Sequence, residues 1–132
     1  MTKWAIPSAI ILAVAAGAAW IYWSSSGDGA HVTVAVPALS ANAQRGARAF
    51  AASCAVCHGD HAAGTRQGPP LIHKVYEPSH HGDASFYSAI KYGVRQHHWR
   101  YGDMPPRPDV SERKAAQIIA YVRELQRANG IR

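Results

Sequence analysis

The stretch Cys54-Ala55-Val56-Cys57-His58 decides the reading of this chain. Two thiols and an imidazole at that spacing form the pattern of covalent c-type haem attachment. Each cysteine makes a thioether to one haem vinyl group, and the histidine next in line falls under the iron as proximal ligand. A redox dithiol or half of a zinc site would also use two cysteines three apart. A zinc site, however, needs a second ligand pair at matching spacing, and a thioredoxin-like motif follows a strand, whereas this one follows a helical stretch. These are the only two cysteines in 132 residues, so haem consumes both and packing must hold the domain.

The pattern around the motif is helical. A first helix is expected from Asn42 to about Ala55, capped by Ser40 or Asn42, with Gly46 and Phe50 four apart on one face. A second runs from Asp83 to about Val94, started by Gly82-Asp83, with Phe86, Ile90 and Val94 as its apolar stripe and Gly93 weakening its end. The clearest runs from Glu112 to Ala128. Ser111 sits at its cap, Gly130 lies just beyond, and Ile118, Ile119, Val122 and Leu125 recur at helical spacing. The alternation His31-Val32-Thr33-Val34 is briefly strand-like, but with Pro37 nearby and no second strand candidate it reads as an extended connector.

The N-terminal segment addresses the compartment. Trp4 to Trp23 carries no charged residue, and such a run of about 20 residues makes a helix roughly 30 Å long, enough to cross a bilayer. Lys3 precedes it and no Lys or Arg comes after it until Arg45, which orients the N-terminus to the cytoplasm and the rest outside. A cleaved signal peptide is the competing reading, since Ala13-Val14-Ala15 and Ala16-Gly17-Ala18 offer small residues in a cleavage-like pattern. The anchor is preferred because Trp20, Tyr22 and Trp23 then sit at the outer interface. Residues 1–24 are thus assigned to an anchor, 25–40 to a flexible linker beginning with Ser25-Ser26-Gly27, and 41–132 to the haem domain.

A second axial ligand is identified by elimination. Met1 lies on the other side of the membrane, leaving Met104 as the one remaining thioether. Pro105 restricts Met104 to extended backbone, and Pro106 and Pro108 stiffen the chain beyond it. A neutral, soft thioether favours ferrous iron and so a relatively high potential.

Several motifs in order, CAVCHG, Gly46-Ala-Arg-Ala-Phe50, Gly68-Pro69-Pro70-Leu71, Gly102-Asp103-Met104-Pro105-Pro106 and Ile118-Ile119-Ala120-Tyr121-Val122, resemble the class I mono-haem cytochrome c family, in its membrane-anchored bacterial type, from Leu39 to the end. The resemblance implies an all-α fold of three or more helices around one covalently bound haem c, here preceded by a single transmembrane helix. It implies that the first and last helices cross closely at Gly46, with Phe50 and Tyr121 beside the gap. It also implies that the Pro69 carbonyl accepts the His58 Nδ1 proton and that Leu71 lines the haem pocket. Trp99 or Tyr101 is the expected donor to a propionate, although a tryptophan five residues before the methionine departs from the best-known members.

The expected function is single-electron transfer in a respiratory chain, from a quinol-oxidising complex or dehydrogenase to an acceptor such as an oxidase, in the bacterial inner membrane with the haem domain in the periplasm. With both axial positions filled, no catalysis at the iron is expected. A relay subunit of a periplasmic dehydrogenase complex, or a sensor or peroxidase with a labile Met104, are the alternatives. The net charge is +6. Arg113, Lys114, Arg123, Arg127 and Arg132, with Lys91, Arg95 and Arg100, either steer the domain to acidic redox partners or form a solvated face. Nucleic acid is not an expected partner, and no phosphate loop, HExxH pattern or internal repeat is present. Of eight histidines, His73, His80, His81, His97 and His98 raise the question of a second metal or of a substitute for Met104. Adjacent histidines on an extended loop are expected to point apart, leaving them as surface residues.

Overall fold

The computed structural model describes residues 30–132; the expected anchor and the start of the linker lie outside them. The described residues form four α-helices: α1 (Ala41–Ser53), the single turn α2 (Ala55–His58), α3 (Asp83–Tyr92) and α4 (Glu112–Ala128). Short 3₁₀ turns stand at Asp60–Ala62 and Lys74–Tyr76. None of these helices is long and apolar enough to cross a membrane.

Cap chemistry sets the helix boundaries. The Ser40 Oγ accepts from the Ala43 N–H at 3.2 Å and donates to Glu124 Oε1 at 2.6 Å, so the cap of α1 is also its tie to α4. The Asn42 alternative is not used. At α4 the Ser111 hydroxyl caps the first turn, Glu112 lies in that turn and Arg127 in the last, each favourably placed in the helix dipole. Helix α3 stops two residues short of the expected Val94. Gly93 takes a left-handed conformation (φ 75°) and turns the chain out, and Val94 instead pairs with Met104 through two N–H to O=C bonds of 2.9 Å.

Helices α1 and α4 cross at Gly46. A Cβ there would lie 2.5 Å from the Gln117 carbonyl carbon and 2.9 Å from Tyr121 Cβ, so only glycine permits the approach. One turn on, the Phe50 and Tyr121 rings meet with centroids 5.6 Å apart. Phe50, Ile118, Ile119, Val122 and Leu125 form the centre of a core that Phe86 and Ile90 of α3 complete. The apolar stripes read from the sequence are therefore the buried ones, except for Val94, which is outside α3 and only partly buried.

The linker expectation changes over its described part. Residues 30–40 form no strand, but they are laid on the domain rather than left as a tether. The Ala30 N–H donates to the Tyr101 hydroxyl at 2.7 Å, the Val32 N–H to the Ala63 carbonyl at 2.9 Å, and Asn129 brackets Ala35 from both sides. Val32, Val34 and Leu39 pack on the core.

Candidate functional site

The last residues of α1 deliver Cys54 to the turn α2, which ends on His58. His58 Nδ1 donates to the Pro69 carbonyl at 2.9 Å. That bond fixes the ring and leaves Nε2 as its ligand atom. Burial holds the His58 imidazole below its usual pKa, partly offset by the Pro69 bond, and so favours the neutral ring that can coordinate a metal. Burial pushes the Cys54 thiol up to about 11, against a lowering by Arg107 and with smaller raising contributions from Asp109 and Cys57. A redox dithiol needs a depressed thiol pKa, and the burial of Cys54 works against one there.

Beside this turn opens a cavity of about 690 Å³ bordered by Cys54, His58, Pro69, Leu71 and, from the far loop, Met104. Phe50, Phe86, Ile90 and Ile118 supply apolar walls. The volume lies within the range of cofactor clefts, roughly 300–1,000 Å³. Of the six site residues singled out in the sequence, Cys54, His58, Pro69, Leu71 and Met104 border this cavity, while Cys57, on the same turn, is not among the residues that line it.

Met104 is placed by its surroundings more than by its prolines. It is bracketed by the paired bonds to Val94, and a side chain at Gly93 would bring a Cβ within 2.5 Å of the Met104 carbonyl oxygen. Two residues beyond Pro105, the Arg107 N–H donates to the Ile90 carbonyl at 2.7 Å, while its guanidinium reaches the Ser53 carbonyl and pairs with Asp109 at 3.0 Å. The Ser53 hydroxyl also donates to Asp109, at 3.2 Å. The methionine loop is therefore latched to the helix end that carries Cys54. The hydrogen bonds from Arg107 hold the Asp109 carboxyl down at about 2.

The opposite wall tests whether haem fits. Trp99 borders the cavity with its Nε1–H buried and without a hydrogen-bond partner of normal geometry, although the indole approaches the Tyr76 hydroxyl closely enough to favour its ionised form. Burial nevertheless pushes Tyr76 up to about 12. An unpaired buried donor costs roughly 1–3 kcal/mol, and a haem propionate is a group that would supply an acceptor there. Tyr101 also borders the cavity, with its hydroxyl accepting from Ala30. The donor set fits haem: the Cys54 thiol, a neutral imidazole, a thioether and an indole N–H on one apolar cleft, with the Cys57 thiol on the adjoining turn.

Two residues that support the site are not legible as such in the sequence. Arg123 belongs by sequence to a basic face, docking or merely solvated, but it is only 7 % exposed. It donates to Asp83 (2.8 Å), the Tyr76 carbonyl (2.9 Å), the His81 carbonyl (2.5 Å) and Gln126 Oε1 (2.6 Å), and lies over the Phe86 ring. Gln126 donates in turn to the carbonyls of Leu71 and Tyr76, both at 2.9 Å. Together they fasten the loop carrying Pro69 and Leu71 to α4. The available signal is their spacing on α4: both fall on the stripe with Ile119 and Val122, where a solvated arginine does not belong.

The histidines also depart from expectation. His80 and His81 stand in a tight turn, not on extended chain, since both their N–H groups donate to the Glu77 carbonyl. Their rings consequently meet, with His98 joining them. His73 stays apart from this group: its Nδ1 accepts from the Val75 N–H, and its ring packs on the Trp99 edge.

A small all-helical domain with a CxxCH turn opening on an apolar cleft defines a haem-attachment protein of the c type. The family model described as Cytochrome c matches residues 43–126, well over half of the chain, and the chain belongs to that family. Comparison with curated proteins gives no match, and comparison with solved structures gives none. Membership carries covalently bound haem c, one group for the single cysteine pair, and electron transfer with redox partner proteins. The group supplies one-electron iron chemistry. Cys54 and Cys57 would hold it, His58 would be oriented towards it by Pro69, and the walls of Phe50, Leu71 and Ile118 would keep water from it.

Proposed function

We propose that this cytochrome is a membrane-tethered mono-haem carrier of single electrons in a bacterial respiratory chain, with His58 and Met104 as axial ligands. It accepts from a quinol-oxidising complex or dehydrogenase and passes electrons to a terminal acceptor such as an oxidase. The observation that carries the reading is the joint presence of His58, turned by Pro69, and Met104, bracketed by Val94, on one apolar cavity. Two axial protein ligands leave no open coordination position, so the protein has no catalytic activity of its own. The latched methionine loop limits rearrangement between oxidation states. The uncharged run from Trp4 to Trp23 supports the tether, and its flanking charge bias supports a cytoplasmic N-terminus and a periplasmic haem domain.

The test is the absorption spectrum of the exported, haem-loaded full chain, with membrane fractionation of the producing cells. A weak near-infrared sulfur-to-iron band in the ferric form, lost in Met104→Ala, and sedimentation with the inner membrane are expected. Absence of the band in folded protein overturns Met104 ligation, and recovery of the protein shortened at its N-terminus in the soluble periplasmic fraction overturns the tether.

A further inference from the structure

We propose that His80, His81 and His98 form a second metal site, distinct from the haem iron, that takes a divalent transition-metal ion of the zinc class at the mouth of the haem cavity. One ring nitrogen from each of the three lies within 4.8 Å of those of the other two. The His80 and His98 Nε2 atoms are 3.3 Å apart. Two nitrogens each about 2.0–2.1 Å from a tetrahedral zinc stand roughly 3.3–3.4 Å from one another, so this edge already has the separation a shared ion requires. A hydrogen bond between two neutral rings accounts for that pair alone. It does not account for the third ring, whose centroid lies 4.6 Å from His80 and 5.1 Å from His98.

His81 is built as a ligand. Its Nδ1 donates to the Val75 carbonyl at 2.6 Å, which selects the tautomer with Nε2 open and supplies the outer hydrogen bond that metal-bound imidazoles characteristically have. Its backbone is held from both sides, by the Glu77 carbonyl at its N–H and by Arg123 at its own carbonyl. The Arg123 charge is matched by Asp83 at 2.8 Å, so the nearby guanidinium is already paired. On the facing loop, Asp103 accepts from the Gln96 N–H at 2.8 Å and Gln96 accepts from the Gly102 N–H at 2.6 Å, fixing the loop that presents His98. His98 is held below its ordinary pKa by desolvation and by the crowding of His97, His81 and His80, which favours the neutral, coordinating form.

The ligand chemistry selects the ion. Three neutral imidazoles suit zinc, copper(II) or nickel and not magnesium or calcium, which prefer oxygen. A fourth position stays with water. The site joins the turn before α3 to the loop before Met104, and His81 and His98 also border the haem cavity, so the ion clips together the two segments that form its mouth. The proposal does not depend on the respiratory or membrane assignment.

The test uses the tag-free, haem-loaded full chain and zinc alone, with equilibrium dialysis, metal analysis and zinc-edge X-ray absorption, alongside the haem spectrum. One zinc per chain with about three imidazole nitrogens in its shell is expected. Affinity should fall more than about tenfold in His98→Gln and in His80→Gln, at least the loss that follows removal of an outer partner, while the near-infrared band persists. Equal zinc binding by wild type and the His80→Gln/His98→Gln double variant overturns the proposal, as does a shell without imidazole. A changed axial-ligand spectrum in His98→Gln also overturns it, by assigning that ring to the iron.

Discussion

Replacing Gly46 with alanine sets two known effects against each other, and the structure decides which one wins. Alanine inside a helix is favoured over glycine by about 1 kcal/mol, so local propensity alone predicts stabilisation. The added Cβ, however, meets the Gln117 carbonyl carbon at 2.5 Å and Tyr121 Cβ at 2.9 Å, where ordinary contact begins near 3.4 Å. The crossing must open by at least about 0.9 Å, the difference of 3.4 and 2.5 Å at that carbon, and by more at the Gln117 carbonyl oxygen, which lies closer still; neither a backbone carbonyl nor a Cβ can rotate aside. Overpacking of this kind costs about 1–3 kcal/mol, and the upper end applies, since separating α1 from α4 also loosens the Phe50–Tyr121 contact. About 3 kcal/mol less the propensity gain of about 1 leaves a net loss near 2 kcal/mol, or about 8–16 °C in Tm for a domain of this size. The assay is thermal unfolding of the ferric holoprotein followed by far-ultraviolet circular dichroism. A Tm at or above that of the wild type would refute the reasoning and show that the crossing is looser than the geometry requires.

Arg123→Leu should destabilise by about 2–4 kcal/mol, because the His81 carbonyl and the Gln126 oxygen lose their donor together and the Tyr76 carbonyl keeps only the one from Gln126; a denaturant midpoint within error of wild type would place Arg123 on the surface after all. Trp99→Phe keeps the ring and deletes the orphaned N–H, and should lower the reduction potential by leaving a propionate charge less neutralised; an unchanged potentiometric titration would separate Trp99 from the propionates. The Asp109 carboxyl has a folded pKa of about 2, below its unfolded value of about 3.9. Its contribution to stability is therefore present above the unfolded value and lost as pH falls through the folded one. Asp109→Asn should weaken the methionine latch at pH 7, and its difference from wild type should vanish between about pH 4 and 2; the near-infrared band followed against pH reads this, and a difference that grows on acidification would contradict the pairing. Because the pair is exposed, the effect should be small.

What is legible in the sequence is what local chemistry determines. Ser40, Gly82 and Ser111 mark helix starts through capping and backbone preference, Gly93 is visible as a weak point although the helix reads two residues too far, and the apolar stripe of α4 needs only helical spacing to be found. Cys54, Cys57 and His58 are readable because one chemical act, attachment of a planar group, imposes their spacing. Arg123 misleads because a charged side chain on a helix is ordinarily solvated. Its burial depends on four acceptors, most of them far from it along the chain, which its own neighbourhood does not announce. The histidines mislead for a related reason. Periodicity rules assume a regular element, and the turn at Glu77 is irregular, so two adjacent side chains converge where alternation would separate them.

Met104 links the two cases. Its identity is reached by elimination, and the sequence alone credits its position to the prolines after it. In the folded chain those prolines are the lesser part: the loop is held by Val94 on one side and by Arg107 reaching the end of α1 on the other. Proline lowers the entropy of the unfolded loop but gives it no address. The address comes from Gly93, whose left-handed turn releases Val94 from α3, and from Arg107, which ties the loop to the residue preceding Cys54. The same helix end thus carries the first thioether position and anchors the loop of the candidate second ligand. A strain that moves α1 relative to α4, such as the Gly46 substitution, should for that reason reach Met104 through Ser53 and Arg107, and weaken the near-infrared band before the helices melt.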